Sequence, residues 1–454
     1  MKTKRWFFHN WLYKEDGNMD QEDDLVSQTP SEQASEIVER EGADAFRDAL
    51  PWVMGVVSGL VIFLSILIIG LWAWAQIEDV QLGGPPSSLL TWEDQYREMT
   101  GLDEISEFDG SGVELCVVDT GIDVSHPDLK GVNLASWNDF VSGIGSPYDD
   151  EGHGTAMAGI IVAEGGLTGV SPGVSLMVAK AIGSDGSGTD SVIADAVDWC
   201  VDGGAEVISL SLGGDQGIGS GLFTTDALEQ SVEDAIQEGV FVVAAAGNDG
   251  NDDDGDVESP GSVEDVICVG GITRTGAIWS GSSEGDNDGR LWPNPILPRQ
   301  DPDKKPELVA PGHEVPVLMA SGVGNGAWWG WSSGTSAATA WVSGSIAILL
   351  QAHPELQRGG EQGGTGAIEE VKSVIMESSQ MKEGQSDHDS HYGYGLLDMD
   401  SLIDSFGNSS GADKMGAIQM DGSVAKEEAL FREVQAARRT TAIVPPVSST
   451  KASE

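Results

Sequence analysis

The sequence predicts an α/β protein: a parallel β-sheet with helices on both faces, preceded by a single membrane-spanning helix. Two patterns carry this expectation. Short Val/Ile/Ala-rich runs recur along 101–405, separated by helix-like segments. Unbroken apolar strands between helices are the mark of a parallel sheet buried on both sides. The second pattern is a single uncharged apolar run that begins at Trp52 and ends at Ala75.

Residues 1–51 are polar and acidic, with helical character expected over 31–49. The run 52–75 has Ser58 and Ser65 as its only hydroxyl side chains. As a helix it spans about 36 Å at 1.5 Å per residue, enough to cross a bilayer. Trp52 at one end, and Trp72 and Trp74 at the other, fall where interfacial aromatic belts lie. Arg40 and Arg47 precede the run, and the next basic residue after it is Arg97. The excess of positive charge on the N-terminal side orients the N-terminus to the cytoplasm and residues 101–405 to the outside. Ala73-Trp74-Ala75 also fits the small-residue pattern that signal peptidases cut. The run is long and starts far from Met1, so a retained anchor is expected.

Residues 76–100 read as a linker, with Gly83-Gly84-Pro85-Pro86 as its flexible part. Strands are expected over 114–119, 176–181, 207–212 and 240–246, and helices over 191–202 and 335–352. From Phe406 the composition turns polar, and 406–454 reads as a mostly disordered tail with one possible helix over 426–439.

Asp and Glu number 74 against 23 Lys and Arg, a formal charge of −51. Such a chain repels phosphates, which excludes nucleic acid as a partner. A solvated acidic surface suited to high salt is the plain reading, and a site selecting basic substrates is the alternative. The three cysteines, Cys116, Cys200 and Cys268, are an odd number and are expected to be buried small apolar side chains without a disulfide framework.

Three glycine-flanked turns bring together the residue types of nucleophilic hydrolysis. They are Val118-Asp119-Thr120-Gly121, Gly152-His153-Gly154-Thr155 and Ser333-Gly334-Thr335-Ser336. A serine hydroxyl attacks only when a base takes its proton, and the base works when a carboxylate fixes its ring. Ser336 also opens an apolar helix, where a backbone N–H points outward towards an anion. A helix N-cap would explain Ser336 alone, a surface loop His153 alone, and half of a carboxylate dyad Asp119 alone. A second Asp-Thr-Gly is absent from the sequence, so the dyad leaves His153 and Ser336 without a role.

These segments, in the order Asp…His…Ser, resemble the subtilisin-like (subtilase) serine proteases over roughly 101–405. Val207-Ile208-Ser209-Leu210-Ser211-Leu212-Gly213 is similar to the strand that pairs with substrate, and Ala244-Ala245-Ala246-Gly247-Asn248 to the oxyanion segment. Lys305-Pro306-Glu307-Leu308-Val309-Ala310-Pro311-Gly312 matches the segment upstream of the nucleophile. The resemblance implies a subtilisin-like fold and a serine endopeptidase acting on polypeptides. It implies Ser336 as nucleophile, His153 as base, Asp119 as its orienting acid and Asn248 as oxyanion donor. Ser211, Leu212, Gly213, Ala245, Ala246 and Gly247 then line the substrate. An inactive member serving as a binding or scaffold protein is the alternative, which predicts damage to one of these residues. The family's usual Met and Pro after the nucleophile, and its second His, are replaced here by Ala337, Ala340 and Ala156. The 76–100 linker is too short for the folded pro-segment that many secreted subtilases carry. Catalysis in the family needs no cofactor, but many members bind structural calcium. The run Asp249, Asn251, Asp252, Asp253, Asp254, Asp256 and Glu258 is a candidate without EF-hand spacing; a solvated loop is the competing reading. Trp328, Trp329 and Trp331 before the nucleophile shape a subsite, meet the membrane surface, or pack.

Self-repulsion among carboxylates is relieved by counterions. The melting temperature should therefore rise as KCl or NaCl is added. A melting curve indifferent to monovalent salt would remove the argument.

Overall fold

The structure, a computed structural model, describes residues 30–77, 84–213, 227–250, 256–285, 298–323 and 326–407. The chain divides into two compact units, Met1–Leu82 and Gly83–Glu454. In the first, one continuous helix α1 (Pro30–Ile77) joins the two helical segments expected from the sequence. Its most apolar stretch is Ala49–Trp72, three residues earlier than expected, with mean hydropathy 2.7 and no burial. That composition and length fit a bilayer crossing.

The second unit is built on a seven-stranded sheet among the described residues, in the order β2-β3-β1-β4-β5-β6-β7. The strands are β1 (Glu114–Asp119), β2 (Leu134–Asp139), β3 (Ser175–Lys180), β4 (Val207–Leu210), β5 (Phe241–Ala245), β6 (Ile267–Ile272) and β7 (Leu308–Pro311). Every neighbouring pair runs parallel. β4 to β7 are buried at each position, so both faces of the sheet are covered, as their unbroken apolar runs require. Helices α3 (His153–Val162) and α6 (Thr335–Ala352) form one covering group, and α4 (Asp190–Asp202) with α5 (Ala227–Gln237) the other. The strand order reverses around β1 and β4, where ligands bind in open parallel sheets. A hairpin of β8 (Val315–Leu318) and β9 (Trp329–Ser332) leads into α6.

Three expectations are corrected. The linker 76–100 is partly folded: α2 (Ser87–Met99) buries Leu89, Glu93 and Tyr96 against the domain. Glu93 Oε1 accepts the Thr168 N–H at 2.7 Å, and the Arg274 guanidinium lies 4.1 Å from the centre of the Trp92 ring. The apolar positions 89, 92 and 96 share one helical face, a short pattern next to a Gly/Pro run that masked it. At the other end the domain does not stop at 405. Phe406 is buried in the core within α7 (Met399–Gly407), while the rest of the expected tail, 408–454, lies outside the described residues.

The cysteines also differ from the sequence expectation. Cys116 on β1 and Cys200 on α4 are disulfide-bonded, and Cys268 is free and buried. Their sequence separation of 84 hid a pairing that arises because α4 packs on β1. A cross-link closing so long a loop contributes about 4.5 kcal/mol in the chain-entropy account. Denatured without reductant, the protein should show one alkylatable thiol, and after reduction three. Three thiols without reduction would show the bond is not made.

Candidate active site

Asp119 ends β1 and is almost fully buried, with its Oδ1 accepting the Thr120 N–H at 2.7 Å. His153 opens α3. Its Nδ1 meets Asp119 Oδ1 at 2.8 Å and Oδ2 at 3.0 Å, and 34% of its side chain remains exposed. These two turns touch through backbone. A Cβ on Gly154 would lie 2.2 Å from the Gly121 carbonyl oxygen, and one on Gly121 2.1 Å from that of Tyr148. Only glycine permits this approach, which gives the flanking glycines of both turns their physical reason.

Asp149 holds the corner together. Its Oδ2 accepts the N–H and the hydroxyl of Thr155 at 2.8 and 2.6 Å, and its Oδ1 accepts the Gly152 N–H at 2.8 Å. Thr120 bridges the turns, donating its hydroxyl to Asp149 Oδ1 at 2.9 Å and accepting the Gly154 N–H at 2.8 Å. Asp149 carries no motif of its own in the sequence. An Asp three residues before Gly152, at a helix start, was the available signal.

Ser336 is the second residue of α6. Its N–H is therefore among the first four of the helix, which have no acceptor within it. Its hydroxyl donates to the Ser211 carbonyl at 3.2 Å, and the Ser211 hydroxyl returns a bond to the Ser336 carbonyl at 3.0 Å. Asn248 Oδ1 accepts the Thr335 N–H at 2.9 Å. A backbone N–H can only donate, so this bond identifies the oxygen and fixes which way the amide nitrogen faces. Asn248 Nδ2 and the Ser336 N–H both lie within 3.9 Å of the point above Gly334 where a Cβ would stand.

One cavity of about 850 Å³ gathers these groups. Asp119, His153, Ser336 and Asn248 line it, with Ser211, Leu212, Gly213, Ala245 and Gly247. Ala246 departs from the expectation. Its side chain is buried against Val257 and Cys268, its N–H bonds the Val269 carbonyl, and its carbonyl accepts the Glu258 N–H. A strand's side chains alternate between faces, which turns Ala246 away from the cavity. Trp328 and Trp329 stand edge-on to the buried His126, and Trp329 donates to Asp128 Oδ2 at 2.7 Å, so these two pack. Trp331 is exposed. In the acidic run, Asp256 makes a two-pronged ion pair with Arg299 at 2.7 and 2.9 Å, and 251–255 lie outside the described residues.

Burial would lower the His153 pKa, but the carboxylates of Asp119, Glu151 and Asp149 overcome it and raise the ring to about 9. Because the ring is a third exposed, salt should screen part of this pull. The ring proton signals of His153 should titrate above the ordinary value near 6.5. Glu151→Gln should move the midpoint down, as should added KCl. A midpoint at or below that of a free imidazole would contradict the arrangement.

The sequence profile of the Subtilase family matches residues 110–395, more than half of the chain. Subtilisin DY of Bacillus licheniformis is 35% identical over 253 residues, 55% of this chain and 80% of that protein. The thermophilic serine proteinase of Bacillus sp. (strain AK1) is 37% identical over 243 residues, 53% of this chain. This match spans 52% of the proteinase, about half its length. A solved structure of a cold adapted subtilisin-like serine proteinase matches at 28% identity with a TM-score of 0.48, over 64% of this chain and 90% of that one. The chain belongs to the subtilase family of subtilisin-like serine endopeptidases.

Proposed function

We propose that the chain is a membrane-anchored endopeptidase that hydrolyses extracytoplasmic polypeptides through Asp119, His153 and Ser336. The observation that carries this is the meeting of four groups around one cavity: an imidazole held by a buried carboxylate, a helix-start hydroxyl, that helix's free-end N–H, and an oriented amide. Asp119 on Nδ1 leaves Nε2 as the basic nitrogen. For attack, the Ser336 hydroxyl leaves the Ser211 carbonyl and turns to His153. Nε2 takes the proton as Oγ bonds to the substrate carbonyl carbon. The oxygen's new negative charge meets the Ser336 N–H and Asn248 Nδ2. The C–N bond then breaks as the imidazolium gives its proton to the leaving amine. A water, deprotonated by the same nitrogen, attacks the acyl ester, and collapse restores the Ser336 hydroxyl and releases the acid. Every group in these steps belongs to the chain or to the substrate, apart from that water.

Two observations support placing the peptidase domain outside the cytoplasm. Basic residues precede the apolar stretch of α1, and the domain carries the Cys116–Cys200 disulfide, a bond that persists in oxidising compartments. A membrane-impermeant fluorophosphonate applied to intact cells should label the membrane-bound protein on Ser336. Ser336→Ala should fold, escape labelling and lose casein hydrolysis to near background. Labelling only after lysis would reverse the topology, and no labelling of folded parent in either case would overturn the nucleophile.

A further inference from the structure

The active-site cavity is chemically divided. One part is apolar: a Cβ on Gly188 would stand 2.6 Å from Ile182 Cδ1 and 3.2 Å from Ile193 Cδ1, so these side chains meet there. The other part lies between the two segments that flank Ser336, 211–213 and 245–248, and it holds Glu258. A Cβ on Gly213 would stand 1.8 Å from Glu258 Oε2, and one on Gly247 would stand 2.7 Å from Cγ and 2.8 Å from Cδ. Both segments are thus pared to glycine where the Glu258 side chain passes, and any larger residue at either position would displace it. The carboxylate is also held in place, since Oε1 accepts the Asn248 N–H at 3.4 Å.

The neighbourhood deepens the negative character. Glu229 Oε1 accepts the Ser259 hydroxyl at 2.9 Å, and both residues line the cavity beside Glu258. Glu151 and Asp190 line it as well, and no Lys or Arg does among the described residues. The site itself is fixed by Ser336, His153 and Asn248, independently of this charge. A low-dielectric cleft lined by one sign concentrates substrates of the other.

We infer that Glu258 selects a basic side chain, lysine or arginine, on the acyl side of the scissile bond. This rests on the endopeptidase reading above and names the substrate class that the same cavity takes. A long basic side chain suits such a place twice. Its methylene stem lies along the apolar wall of Leu212 and Ala245, and its charged end reaches the carboxylate. A glutamate there would be repelled by Glu258 and the carboxylates around it.

The test compares peptide p-nitroanilides identical except for a terminal Lys, Arg, Leu or Glu. The parent should give the highest kcat/KM for Lys or Arg and the lowest for Glu, and KCl should narrow the gap. Glu258→Gln should lower the Lys-to-Leu ratio by about tenfold to a hundredfold, the range of a charge-assisted hydrogen bond. Glu258→Lys should shift preference towards the Glu substrate. A parent that favours Leu over Lys overturns the inference, as does an unchanged ratio in folded Glu258→Gln. The parent's own ranking decides even where a variant does not fold. A folded parent that cleaves none of the four and no casein overturns the endopeptidase reading instead, so the two failures are distinct.

Discussion

Gly154 sits so close to Gly121 that the end of β1 and the start of α3 share one small volume, stitched by Thr120 and Asp149. The rest of the site depends on this contact. A buried carboxylate such as Asp119 is costly to desolvate unless donors meet it. Here the Thr120 N–H and the His153 ring supply them, and the ring stays in place because the first turn of α3 is clamped by Asp149. The clamp leaves His153 with little freedom, which is the preorganisation its proposed role as a base calls for.

The other half of the site solves a different problem. A helix start always presents N–H groups without partners; in α6 the Ser336 N–H is one of them, while Asn248 satisfies its neighbour at Thr335. One amide therefore does two things: its oxygen caps the helix and its nitrogen is left facing the same space as the Ser336 N–H. The family's usual Pro is replaced by Ala340, which is buried within an unbroken α6, so the loss alters helix constraint and leaves the N-terminal turn intact.

The formal charge of −51 spreads carboxylates over the chain, and several are drawn inward to a purpose: Asp256 to Arg299, Glu307 to Lys305 and Lys372 beneath β7, and Asp149 to α3. The buried lysines answer burial with paired carboxylates, since an unpaired ammonium there would be strongly destabilising. The disulfide ties the strand that carries Asp119 to α4, adding a constraint at the centre of the sheet rather than at its rim.

Much was legible in the sequence because it is written in short range. β1, α6 and the three glycine-flanked turns follow from local periodicity and from the stereochemical needs of a helix start and a close backbone approach. The apolar stretch of α1 is equally local, a matter of length and composition. What escaped the sequence depends on residues far apart meeting in space. The Cys116–Cys200 bond needed α4 laid on β1, and the folding of 87–99 needed a groove for Tyr96. Asp149 became important only when Thr120 and Thr155 converged on it. Ala246 shares one apolar run with its neighbours, but strand alternation points it to the opposite side, against Val257 and Cys268. Glu258 closes an acidic run in the sequence, and only the fold sets it between Gly213 and Gly247. Patterns that repeat along the chain determine elements and motifs, whereas the choice among chemically equal carboxylates is made by where the tertiary structure puts each one.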